Sequence, residues 1–344
     1  MKNIDFRSDT VTKPTDEMRE SMKNAVVGDD VYEDDITTNK LQEYAKNLLG
    51  KEAALFVPSG TFSNQLALFT HIKRGQEVIL SEECHIIEHE AGAGAIIAGA
   101  QFRTLPSFHG KMDIEKIEMT IRKTEDIHYP KTALICLENA FSDGTVLDLE
   151  YMKQVFDISR KYNIKVHLDG ARFFNAVTAL SCKAEDLAKY ADSISCCLSK
   201  GLCAPIGSLL VGSKEFIDEA RKKRKIMGGG MRQTGVLAAP GLIALKKMRL
   251  RLIEDHDNAK YLSDKLSTLP VSVMKDNLDI NMVFFKVTDE KALKIFEPER
   301  LKEKGILINP VENGLFRFVT HYWINKEDID YTVRCLHEMY GKEK

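Results

Sequence analysis

An aspartate and a lysine, each delivered by a short apolar run, are the residues of this chain best suited to chemistry. Asp169 stands in Val166-His167-Leu168-Asp169-Gly170-Ala171-Arg172, and Lys200 follows thirty-one residues later in Leu198-Ser199-Lys200-Gly201. Ile164 and Val166 precede the acid, while Ile194, Cys196, Cys197 and Leu198 precede the lysine. Each run reads as a buried strand that carries its polar residue to the carboxyl edge of a sheet, where open α/β sheets place their ligands. A lysine there can form a Schiff base with an aldehyde, and an acid can hold a pyridine nitrogen protonated so that the ring accepts electrons. Together the two meet the needs of pyridoxal 5'-phosphate. Singly, each is also what an ordinary surface residue after a core strand looks like.

Other residues supply what such a site would still need. Ser59-Gly60-Thr61 falls at a strand-to-helix turn, where glycine admits a phosphate and the helix amino end offers free N–H groups. Gly228-Gly229-Gly230-Met231-Arg232-Gln233 is a pliable loop able to bring Arg232, and with it Lys225, close to an anion at a subunit interface. The run Arg221-Lys222-Lys223-Arg224-Lys225 reads otherwise as a solvated helix face or a nucleic-acid patch. His85 opens a segment rich in glycine and alanine, and its imidazole could stack on a flat ring or move protons. His128 is a second histidine of that kind, from a loop before a strand. Arg317 is a charge inside the apolar strand Leu315-Phe316-Arg317-Phe318-Val319. Its guanidinium needs a partner, either an internal acid or a substrate carboxylate held bidentately.

The elements that must position these groups alternate between helical and strand patterns, which predicts α/β architecture with a mainly parallel sheet. Strands are expected at 54–57, 77–80, 132–137, 164–168, 194–198 and 207–212, and helices at 38–49, 63–72, 150–162 and 214–227. A long helix is expected from 234 to at least 252, bent at Pro240. Beyond 255 the pattern shifts to mixed strands and helices. The expected organisation is an N-terminal segment (1–14) that contributes to the site, a large cofactor-binding α/β domain (15–254) and a small α+β domain (255–344). The chain has 344 residues, with 49 basic against 51 acidic, so no bulk field recruits nucleic acid or an acidic membrane. None of the seven cysteines stands in a Cys-x-x-Cys pair, a pattern suited to reduced thiols rather than disulfides or a metal. With no apolar leader and no run of membrane-spanning length, a cytoplasmic protein is expected.

The motifs resemble those of threonine aldolases, of the aspartate-aminotransferase-like group of pyridoxal phosphate enzymes. Those that carry the resemblance are Phe6-Arg7-Ser8-Asp9-Thr10-Val11-Thr12, Gly28-Asp29-Asp30-Val31-Tyr32, Gly50-Lys51-Glu52-Ala53-Ala54, the Asp169 and Lys200 motifs, and the triple-glycine loop to Gln233. The resemblance extends to Arg317-Phe318-Val319-Thr320-His321. It implies an aspartate-aminotransferase-like large domain and cleavage of L-threonine, L-allo-threonine and related β-hydroxy amino acids to glycine and an aldehyde. By the same resemblance Lys200 is the Schiff-base lysine, Asp169 the pyridinium partner, His85 the stacking ring, and Gly60 and Thr61 the phosphate cradle. Ser8, Arg172 and Arg317 would grip the substrate carboxylate, and Tyr32 and His128 would line the substrate side. Arg232 and Lys225 would come from a neighbouring subunit of a homo-oligomer, a tetramer in most of the family. The base is left open among His85, His128 and an ordered water.

The chain departs from the family pattern in places. Ala140-Phe141 follows Glu138-Asn139 where Thr-His is common, Glu33-Asp34-Asp35-Ile36 replaces a proline-containing segment, Phe62-Ser63 follows the phosphate turn, and Glu88 and His89 stand at aromatic positions. These changes surround the substrate side chain rather than the cofactor. Two other readings compete: a β-eliminating lyase or aminotransferase on the same scaffold, and a non-catalytic nucleic-acid-binding or regulatory protein that uses the basic run.

Overall fold

The computed structural model describes residues 3–343. Seven strands form the main sheet: β1 (Ala53–Val57), β2 (Glu77–Ser81), β3 (Gln101–Leu105), β4 (Thr132–Glu138), β5 (Lys165–Gly170), β6 (Ser193–Cys197) and β7 (Ser208–Gly212). Their spatial order is β1-β7-β6-β5-β4-β2-β3. Every neighbouring pair is parallel except the two that involve β7, which is antiparallel to both β1 and β6. Two reversals cancel, so β1 points the same way as β6. The carboxyl ends of β1 to β6 therefore share one edge of the sheet.

Helices cover both faces of the sheet, so β2, β6 and β7 are buried at every position, polar Glu77, Ser193, Ser195 and Ser208 included. The covering helices start where side chains can take up their free amides. Ser59 caps the helix Gly60–His71, Asp148 caps Leu149–Lys161 and Ser213 caps Lys214–Ile226. The fold is α/β with a mainly parallel sheet.

A second core lies beyond it. Val271–Val273, Met282–Val287 and Phe316–Val319 form an antiparallel sheet, covered by the helices Leu252–Leu266 and Lys326–Glu343. Phe285 meets Phe296, Phe316 and Phe318 with ring centroids 5.1 to 5.5 Å apart. The chain start joins this core. Ile4–Asp5 pairs in parallel with Ile306–Leu307, and Phe6 stacks on Phe318 at 5.1 Å. Sequence periodicity missed that strand because two residues are too few to show alternation.

The long helix expected from 234 is two helices, Gly235–Lys246 and Leu252–Leu266, joined by a tight turn over Met248–Arg251. The break does not fall at Pro240, which stays inside the first helix. There Gly241 packs so closely on Leu41 and Leu198 that a Cβ would lie 3.0 and 3.1 Å from them. Tight tertiary packing outweighs the local helix-breaking tendency of proline.

Candidate active site

The shared edge assembles the groups that the sequence singles out. Ser59, Gly60 and Thr61 follow β1, His85 lies four residues past β2, Glu138 ends β4, Asp169 sits near the end of β5, and Lys200 follows β6. Register brings Glu138 opposite Asp169, and Asp169 opposite Ser195.

At the helix start, the Ser59 hydroxyl accepts from the Phe62 amide at 3.1 Å, while the Gly60 and Thr61 amides precede any intrahelical acceptor. A Cβ on Gly60 would lie 2.7 Å from Cys197 Sγ, so only glycine fits this turn without displacing β6. Free amides at a helix amino end make an anion cradle. The Lys200 carbonyl accepts the Thr12 hydroxyl at 2.7 Å, and its half-buried side chain makes no hydrogen bond or ion pair among the described residues. An amine held near a buried acid without being paired to it is available to a carbonyl ligand.

Asp169 is buried and held from two sides. Its Oδ1 accepts from the Ala171 amide at 3.0 Å and its Oδ2 from Asn64 Nδ2 at 2.7 Å. Behind Asn64 a polar chain crosses the sheet. His167 Nε2 lies 3.2 Å from Asn64 Oδ1, His167 Nδ1 lies 2.8 Å from Ser193 Oγ, and that hydroxyl lies 2.7 Å from His71 Nε2. Burial pushes both His71 and His167 down to about 3, so the chain is neutral and its role is to orient Asp169. Burial, reinforced by the Asp169 charge, pushes Glu138 up to about 7. Ser142 and the His85 amide donate to its two oxygens.

On the substrate side the structure adds a residue to the expected set. Arg172 donates through Nε and Nη2 to the two oxygens of Asp9 at 2.8 and 2.7 Å, and Asp9 is fully buried. Burial would raise the Asp9 carboxyl, but the Arg172 charge and hydrogen bonds, with Lys200 beyond, hold it at about 2. Arg317 makes one long contact, Nη2 to the Arg7 carbonyl at 3.4 Å, and no ion pair among the described residues. Burial, and then the nearby Arg172 charge, lower its pKa. The internal ion-pair reading of Arg317 therefore fails. Two guanidiniums converge beside Ser8, which lies between Arg7 and Asp9 and caps the turn Asp9–Val11. Such a pocket favours a carboxylate. Asp9 was legible only as part of a motif, since nothing local shows that it reaches Arg172, 163 residues away.

Four expected residues stand apart from this cluster. His128 is exposed and precedes β4 by four residues, so it lies at the opposite edge of the sheet from Asp169. The length of β4 separates them, roughly 20 Å at about 3.3 Å per residue. The structure does not bring His128 into the site of its own chain. Tyr32 is 74% exposed. Arg232 is exposed and pairs with Asp29 at 2.9 Å, while Lys225 is exposed on the helix Lys214–Ile226. Their loop lies against the first turn of the cradle helix, because Gly229 packs on the Phe62 ring. The basic run is not an open nucleic-acid surface. Arg224 is buried, pairs with buried Asp30 and donates to the Phe56 carbonyl at 2.9 Å, while Arg221 pairs with Glu33 at 3.3 Å.

Residues 5–290 match the beta-eliminating lyase family. The low specificity L-threonine aldolase of Escherichia coli K12 is 44% identical over 327 residues, covering 95% of this chain and 96% of its own. The chain belongs to the beta-eliminating lyase family, among the low-specificity L-threonine aldolases. A threonine aldolase from Leishmania major superposes on this family member with a TM-score of 0.83 at 18% identity, covering 98% of this chain and 99% of that one. Structures of SPT with PLP superpose with TM-scores of 0.75 and 0.77 at 16% identity, each covering 99% of this chain and 88% of its own. These likenesses place the fold in the aspartate-aminotransferase-like class.

Proposed function

We propose that this protein is a pyridoxal phosphate-dependent lyase that cleaves L-threonine, L-allo-threonine and related β-hydroxy amino acids to glycine and an aldehyde. The observation that carries the reading is the convergence, on one sheet edge, of an unpaired lysine, a braced buried acid and two guanidiniums. The residues fit the cofactor. Gly60 and Thr61 would hold its phosphate, Asp169 its pyridine nitrogen, His85 its ring face and Lys200 its aldehyde carbon. When bound, the group supplies a protonated ring that accepts the electron pair released as Cα–Cβ breaks. Arg172, fixed by Asp9, and Arg317 bind the substrate carboxylate and set which bond at Cα stands perpendicular to the ring.

The reading is tested by reducing the holoprotein with borohydride, mapping the modified peptide to Lys200, and measuring acetaldehyde and glycine from threonine. A modified lysine other than Lys200, or no aldehyde, would sink it. The family description favours a second reading, β-elimination. That reaction would instead give a 2-oxo acid and ammonia.

The same proposal includes assembly into a homo-oligomer, a tetramer built from dimers, with shared sites. Lys225, Arg232, Tyr32 and His128 would then serve the site of a neighbouring chain. Support comes from apolar side chains left in water beside them: Val26, Ile36 and Ile226 near Tyr32 and Arg232, and Ile127, 97% exposed, next to His128. No helix among the described residues is long and apolar enough to cross a membrane. All seven cysteines are unpaired, which fits a reducing compartment, the cytoplasm.

A further inference from the structure

Glu90 is a buried carboxylate that neither the sequence reading nor the proposed reaction uses. It follows the short helix His85–Glu88 and is 2% exposed. Its Oε2 accepts from Gln65 Nε2 at 2.5 Å. Its Oε1 accepts from Asn64 Nδ2 at 2.8 Å and faces His85 Nδ1 at 2.9 Å. The same Asn64 nitrogen reaches Asp169 Oδ2 at 2.7 Å, so one amide bridges the two carboxylates. Amide N–H groups can only donate, and a carboxyl that receives two of them is best satisfied as an ionised acceptor. The His85 nitrogen facing it must then carry a proton.

We propose that Glu90 is the positioning residue of His85: it keeps a proton on Nδ1, leaves Nε2 as the exchanging atom, and couples that imidazole through Asn64 to Asp169. The inference rests on the cofactor reading above and deepens it. A carboxylate on one nitrogen of an imidazole fixes its tautomer and stabilises its cationic form, so Nε2 can hold a proton taken from the substrate side. The hydrogen bonds around Glu90 give this arrangement. Among the described residues, His85, Glu90 and Asp169 bring ligand-type atoms within 4.8 Å of one another, but the Asn64 amide stands between the two acids. That makes the group a hydrogen-bonded relay rather than an open chelate.

Several charges face this imidazole. Glu90 contributes most, raising its pKa through the hydrogen bond, burial lowers it, Asp169 on β5 raises it and Lys200 after β6 lowers it. Glu138 at the end of β4 holds the His85 amide at 2.8 Å, and the His89 ring lies 5.5 Å away with Glu88 beside it. Removing only the Glu90 charge isolates its share. Glu90→Gln keeps the shape, and the fold can absorb it: Gln65 Oε1 is a buried acceptor with no hydrogen-bond partner among the described residues, so a flip of that amide would receive the new N–H.

The test is the titration of the His85 imidazole by NMR in the apoprotein, with His85→Asn identifying its resonance. Glu90→Gln should lower the His85 midpoint by about one pH unit or more, the scale of losing an adjacent opposite charge. The neutral ring should keep its bias towards Nδ1–H, because the amide oxygen of the substituted side chain still faces Nδ1. Glu90→Asp keeps the charge but retracts it, so its midpoint should fall between the two. In the holoenzyme, the acid limb of kcat/KM should move down by the same amount while the yellow colour persists. An unmoved His85 midpoint in Glu90→Gln, or loss of rate with an unshifted pH profile, would overturn the role. A wild-type protein that takes up no cofactor would instead overturn the underlying reading, whatever the His85 titration shows.

Discussion

Asp9→Asn is the most informative single perturbation of the substrate side. The native pair is buried on both partners, with Asp9 fully enclosed and Arg172 9% exposed by side chain. Asparagine keeps the shape, removes the charge and turns an N–H towards the guanidinium. Holding the carboxyl at about 2 rather than its ordinary 3.8 favours the ionised pair by about 2.5 kcal/mol, at about 1.4 kcal/mol per tenfold. Stranding Arg172 without its counter-charge adds to this, and removal of one partner of a buried pair costs about 3–5 kcal/mol. A loss of about 3 kcal/mol in unfolding free energy at pH 7.5 is therefore expected, measured by urea denaturation at fixed protein concentration. The folded pKa lies below the unfolded one, so this stability is present above pH 4 and fades as pH falls through about 2. Wild type and variant should converge at acid pH. Because Arg172 loses its orientation, kcat/KM for threonine should fall at least about 100-fold. A variant within about 0.5 kcal/mol of wild type at pH 7.5, or one with wild-type cleavage, would refute the reasoning.

Other expectations follow from the same geometry. Arg317→Lys should fold and stay yellow yet lose most cleavage of threonine and allo-threonine, since lysine cannot reproduce the guanidinium fork; kcat/KM for both substrates decides it, and wild-type-like values would remove Arg317 from the clamp. Glu138 binds its proton more tightly folded than unfolded, so the apoprotein should lose stability as pH rises from about 4.5 to about 7. Glu138→Gln should abolish that loss, about 3 kcal/mol at most, and parallel urea midpoints for both proteins between pH 5 and pH 8 would contradict it. Arg232→Ala should weaken cofactor retention, and hybrids with Lys200→Ala subunits should regain activity; no rescue under proven subunit exchange would place the site within one chain.

Strands and their polar ends were legible because a buried parallel sheet demands apolar runs, and the residue after each run lands on the carboxyl edge. Asp169, Lys200, His85 and Gly60 could be read that way, before any contact was known. The six-strand edge itself depends on β7 running backwards between β1 and β6, which no local pattern states. Burial decided the rest. The sequence offers Arg221 to Lys225 as one basic run, but helical geometry turns Arg224 inward onto Asp30 and leaves Lys225 in water. Arg317 is the same residue type in an apolar strand, yet the charge that acts on it most is another arginine rather than an acid. Asp9, Asn64 and Glu90 carry no signal of their own, because their partners lie far away in sequence or on another element. Residue type and period are local properties, so the chain alone determined the elements and the chemistry they can present. Ion pairing, tautomer and proton affinity depend on what surrounds a group once water is excluded, and only the tertiary structure decided those.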